Sequence, residues 1–102
     1  MKDLSDVPNH LQSTYKMLLK AFPEGPSQDD YLALVAILAA EMSQRTVAGV
    51  VEDLGYCRQN AGYNDVLTAL SKNHQPDRAS VEKVRRHLDP HGYKAWLAEC
   101  MD

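Results

Sequence analysis

Cysteine is scarce in this chain: Cys57 and Cys100 are the only two, they lie in different segments, and no Cys-x-x-Cys spacing links them. That excludes a disulfide scaffold, a redox pair and a zinc knuckle, and leaves two reduced thiols as the expectation. Basic surplus is also missing. Eleven Lys and Arg stand against fourteen Asp and Glu, a net charge of -3, so wholesale binding to nucleic acid is excluded and only a local patch could serve that purpose. Long apolar runs are absent too. The uncharged stretch 31–40 has ten residues, well short of the ~20 that a helix needs to cross a bilayer, so no membrane partner is expected. The first residues carry Asp3 and Asp6 and lack the apolar core of a secretion signal, which points to a cytoplasmic protein. Strand-like alternation and hairpin turns are missing throughout, which excludes a sheet-based fold.

What is present is ordinary globular material. Apolar residues make up 44% and charged residues 25% of 102, a balance that folds and does not remain disordered. The length suits one domain, 1–102, with an ordered core over 9–100 and a flexible 1–8 segment. The fold class expected is all-α, a compact bundle of about five short helices.

Helix signals recur along the chain. Asn9 with Gln12 reads as a capped start for a first helix over 11–22, in which Leu11, Tyr15, Leu18, Leu19 and Phe22 share a face. Pro23-Glu24-Gly25-Pro26 stops it. Ser27 and Asp30 have capping-box spacing ahead of the run 31–40, where Tyr31, Leu34, Val35, Leu38 and Met42 form one stripe. Leu32 and Ile37 broaden that stripe beyond the need of a surface helix. This should be the central, most enclosed helix. Ser43 caps a third helix, with Val47, Val50, Val51 and Leu54 on one side and Gly55 at its end. After a turn-rich loop over 55–62, Asn64 or Asp65 opens a short fourth helix with Val66, Leu67 and Leu70 as its apolar face. Pro76 and Asp77 start a fifth, whose Val81, Val84 and Leu88 fall in a narrow arc. Asp89-Pro90 then reads as a cap with Pro at the first position of a terminal turn or two, whose apolar side is Tyr93, Trp96, Leu97 and Cys100. A weak internal echo relates 43–54 to 77–88, each preceded by a Tyr-led apolar segment, and suggests two helical hairpins.

Several of these residues together resemble a known family. They are Pro23-Glu24-Gly25, the Leu-rich helix after it, Ser43-x-x-x-Val47-x-x-Val50-x-x-x-Leu54, Asp65-Val66, and Val81-Glu82-Lys83-Val84-Arg85-x-x-Leu88 leading to His91-Gly92-Tyr93. The chain is similar over 11–97 to the small actinobacterial, largely mycobacterial, proteins of domain-of-unknown-function family 3349. The resemblance implies a compact protein of about five α-helices and supplies no activity, cofactor or catalytic residue.

Few side-chain groupings could carry chemistry. His87-Leu88-Asp89-Pro90-His91 collects metal-ligand types, yet two His four apart meet only on a continuous helix, and Pro90 interrupts it. Solvated imidazoles at a helix corner are the plainer reading, and no metal or other cofactor is expected. Arg78, Lys83, Arg85 and Arg86 form the one basic concentration and are the candidate interaction patch; Glu82, in a row with Arg78 and Arg86, should offset part of it. Asp29-Asp30 and Glu52-Asp53 are adjacent pairs, which on a helix point about 100° apart and share a proton poorly. Cys57 has no partner signature of a nucleophile, so no enzyme is expected. The function expected is a non-catalytic interaction or regulatory module that binds a protein partner or a second copy of itself, with Leu32 and Ile37 as the motive. The alternative is a weak nucleic-acid contact through the basic patch.

Overall fold

The run 31–40 does become the centre of the fold. Ser27 Oγ accepts from the Asp30 amide at 3.3 Å, which starts helix α2 (Gln28–Glu41), and Ala33, Leu34, Val35 and Leu38 on it are fully buried. The structure is a computed structural model, and it describes residues 7–58 and 60–100. Every regular element among those residues is helical: α1 (Asn9–Ala21), α2, α3 (Gln44–Asp53), α4 (Gly62–Leu70), α5 (Arg78–Leu88), a 3-10 turn (Asp89–His91) and α6 (Tyr93–Cys100). That makes six α-helices where about five were expected. The radius of gyration is 12.5 Å, close to the ~13 Å of a compact chain this long.

Three helices cover α2. They are α3, α4 and α5, while α1 packs against α5, the 3-10 turn and α6. Ser43 and Asp77 cap as their positions suggested, accepting from the amides of Thr46 at 3.2 Å and Ser80 at 2.7 Å. One buried polar bond ties the two ends of the chain together: Trp96 Nε1 donates to Thr14 Oγ1 at 2.6 Å, so that neither group is buried unsatisfied.

Four boundaries differ from the sequence reading. The first helix begins at Asn9, not after it; Pro8 holds the cap position without a side-chain bond, and Gln12 Nε2 donates back to the Val7 carbonyl at 3.3 Å. Val7, within the segment expected to be flexible, is buried in the core; residues 1–6 of that segment lie outside the described residues, as does the Cys100 side chain. The fourth helix starts at Gly62, ahead of Asn64 and Asp65. Asp89 and Pro90 form the 3-10 turn and not the start of the last helix. Gly92, at φ +97°, ends that turn, and α6 begins beyond it with the Trp96 amide donating to the Gly92 carbonyl at 2.9 Å. A left-handed residue is the usual way to end such a turn, and glycine adopts it without a Cβ clash.

Candidate functional site

Helix α4 is placed by the helix before it. Its cap residue, Ala61, has no side-chain oxygen to offer, so Glu52 on α3 does the work: Oε1 accepts from the Asn60 amide and Oε2 from the Gly62 amide, both at 3.0 Å. A carboxylate at a helix N-terminus satisfies free amides and meets the positive end of the helix dipole. Close approach does the rest. A Cβ on Gly62 would stand 2.6 Å from the Ala48 carbonyl oxygen and 2.7 Å from Glu52 Oε2, so only glycine lets α4 sit this tightly on α3. Farther along, Asp65 Oδ2 accepts from the Tyr31 hydroxyl at 2.8 Å and fastens α4 to α2.

With those three anchors set, α4 presents Gly62, Val66 and Ala69 to the core. Tyr63, Leu67 and Leu70, each one residue on and so about 100° further round the helix, lie beside that face and are each 44% exposed. The sequence reading put Val66, Leu67 and Leu70 on a single inward face; the structure corrects it by dividing them between two. Spacing held the signal, because Tyr63, Leu67 and Leu70 follow i, i+4, i+7 as cleanly as Gly62, Val66 and Ala69 do. Among the described residues these three are the exposed large hydrophobics, and all of them belong to one stripe of one helix. Scattered apolar residues on a surface need no explanation, but a contiguous row does.

Leu32 and Ile37, the sequence-level motive for an interaction surface, go elsewhere. Ile37 is buried and Leu32 packs partly buried against the same core. Helix α2 has neighbours on enough sides to absorb its broadened stripe, so that stripe is internal.

The basic patch is divided by its carboxylate partners. Arg78, Lys83, Arg85 and Arg86 are all exposed on α5. Lys83 Nζ lies 3.3 Å from Asp30 Oδ1, Arg85 pairs with Glu82, and Arg86 Nε lies 3.7 Å from the other oxygen of Glu82. Glu82 therefore offsets Arg85 and Arg86, not Arg78 and Arg86 as the row of fours suggested. Lys83, Arg86 and His87 face Glu24 and Asp30 across an open cleft of about 640 Å³ between α5 and the loop joining α1 to α2. Arg78 and Arg85 do not line it. The cleft mixes both signs of charge, and surface pairs of this kind contribute little energy each.

His87 has a structural task. Its Nε2–H donates to the Ala21 carbonyl, one of the unpaired acceptors at the end of α1, and its ring packs on Phe22 with centroids 4.7 Å apart. His91 stands beside it, ring centroids 6.0 Å apart. Among the described residues no group of three or more His, Cys, Asp or Glu is arranged to hold a metal ion.

Cys57, Tyr31 and Tyr15 are also engaged. Cys57 lies beside Tyr31 and Asp65, where burial first and then the nearby carboxylates of Asp65 and Glu52 push its thiol up, against an opposing hydrogen bond from Tyr31. A nucleophilic cysteine needs the opposite shift. Burial also raises the Tyr31 phenol, and its bond to Asp65 adds to the effect. The Tyr15 hydroxyl donates to Asp53 Oδ2 at 2.7 Å and is likewise raised, first by burial. Glu52 and Asp53, adjacent in sequence, thus serve a helix end and a tyrosine separately.

A family model described as "Protein of unknown function (DUF3349)" matches residues 9–96. No curated protein and no solved structure matches the chain.

Proposed function

The chain belongs to the DUF3349 family, proteins of unknown function, and we propose that it is a non-catalytic helical interaction module acting through the outward face of α4. One observation carries this reading: among the described residues, Tyr63, Leu67 and Leu70 are the exposed large hydrophobics, and they align on a single face. Leaving such a row in water forgoes burial worth roughly 25 cal/mol per Å², and a second protein chain, either a partner or another copy, recovers it. The rest of the proposal follows the same lines. Its place is the cytoplasm of an actinobacterial cell, no cofactor is needed, and Cys57, with its raised thiol, is not a nucleophile.

The alternative, nucleic-acid contact through Arg78, Lys83, Arg85 and Arg86, has weaker support. Three of those cations face carboxylates, and each such pair reduces the charge available to displace counterions from phosphates.

A photo-crosslinking side chain tests the reading when placed at position 67 and, as a control, at the exposed position 94 of the full chain in cell extract. A discrete adduct at 67 and none at 94 is expected. Equal labelling at both positions, or none at 67, defeats the proposal.

A further inference from the structure

We infer, building on the reading of α4 as an interaction surface, that its occupant is an amphipathic helix of a partner protein with acidic residues flanking its apolar stripe. Shape comes first. Tyr63, Leu67 and Leu70 repeat at i, i+4, i+7 along a nine-residue helix. At 1.5 Å per residue that is a row of about two turns, the length over which one helix packs against another.

Area separates a lone helix from a second copy. Three side chains each 44% exposed supply roughly a third of the ~800 Å² that each partner buries in a stable interface. A patch that narrow suits one helix laid along it, whereas a second copy would have to draw most of its buried area from the polar residues around it.

Charge points the same way. The Tyr63 hydroxyl reaches Gln44 Oε1 at 3.4 Å, and Arg45 follows Gln44 at that end of the stripe. Lys72 lies two residues past Leu70 at the other end, and both cations are exposed. The nearest carboxylates are turned from the stripe, Asp65 toward Tyr31 on α2 and Glu52 toward the amides of Asn60 and Gly62. A stripe with a cation at each end matches acidic flanks. Pairing two copies about a two-fold axis sets cation against cation whichever way the helices run, and like charges across an interface act against the match.

The test is a display library of amphipathic helices of about 18 residues, long enough to hold helical structure, with Leu on one face and flanking positions randomised among Glu, Gln and Lys. The bait is the full chain. Selected peptides are expected to be rich in Glu at the flanks and to bind about tenfold or more weaker to Leu67→Glu and to the double variant Arg45→Glu, Lys72→Glu. Circular dichroism of each variant establishes that it is folded. Enrichment of Lys or Gln, no selected binder, or binders indifferent to Leu67→Glu would overturn the inference. Light scattering separates the two levels: a dimer that Leu67→Glu dissolves makes a second copy the occupant, which sinks the acidic helix and leaves α4 as the interaction surface. If there is no dimer, no selected peptide and no adduct at position 67, both readings fail.

Discussion

Helices α2 and α4 are built from similar apolar material and end up in different situations. Neighbours α3, α4 and α5 surround α2, so even its broadened stripe is covered, with Ile37 inside the core and Leu32 partly buried against it. Helix α4 packs chiefly on α2 and α3; its inner residues Val66 and Ala69 are buried, while Tyr63, Leu67 and Leu70 remain 44% exposed. Apolarity alone therefore does not say what a helix residue is for. The number of neighbours decides whether it stabilises the fold or is left facing outward.

The sharpest way to break this contrast is to truncate both helices. Leu38→Ala removes a fully buried side chain and should cost about 2–5 kcal/mol in a urea melt. Leu67→Ala should stay within about 0.5 kcal/mol of the parent chain. Similar losses for the two would abolish the distinction.

Next in size comes the joint that fixes α4. Gly62→Ala places a methyl 2.6 Å from the Ala48 carbonyl oxygen, a backbone atom that cannot swing aside, so α3 and α4 must separate at a cost of about 1–3 kcal/mol. Glu52→Ala leaves the amides of Asn60 and Gly62 without their acceptor and should cost about 1 kcal/mol, as the loss of a helix cap does. Calorimetric melts of both variants would rank them, and the glycine substitution should be the more damaging.

The tyrosines that fasten the core sharpen the comparison through pH. Tyr15 and Tyr31 have phenols raised above the ordinary 10.0, and burial pushes Tyr56 up to about 12. The folded state keeps these protons longer than the unfolded one, so their contribution is complete below about pH 10 and is lost as pH rises toward and beyond 12. Stability from urea melts should be steady up to about pH 9 and fall above 10, and Tyr31→Phe should make that fall shallower. An unchanged alkaline slope in Tyr31→Phe would mean that burial and the bond to Asp65 do not hold the Tyr31 phenol protonated in the folded chain.

Local signals in the sequence carry over well where the causes are local. Ser27, Ser43 and Asp77 cap the helices that follow them because a cap needs only a side-chain oxygen three residues ahead of an amide. The centre of the fold was legible in 31–40 for the same reason: a run without charge has to be enclosed. Helix α4 was misread at its start because its cap, Glu52, comes from another helix, ten residues before the amide it serves at Gly62. Its outward face was misread because, on nine residues, two apolar stripes have equal periodicity and only the placement of α2 and α3 chooses between them. The basic patch was legible as a cluster, but Glu82 selects Arg85 over Arg78 through side-chain conformation, which spacing does not encode. The Thr14–Trp96 bond, joining residues 82 apart, had no signal in the sequence.

Solvent exposure of individual leucine methyls measures the contrast between the two helices most directly. In dilute protein, a soluble nitroxide should broaden the methyl resonances of Leu67 and Leu70 strongly and leave those of Leu34 and Leu38 sharp. If Leu67 and Leu70 are as protected as Leu34 and Leu38 in the free chain, the outer face of α4 belongs to the core and offers nothing to a partner.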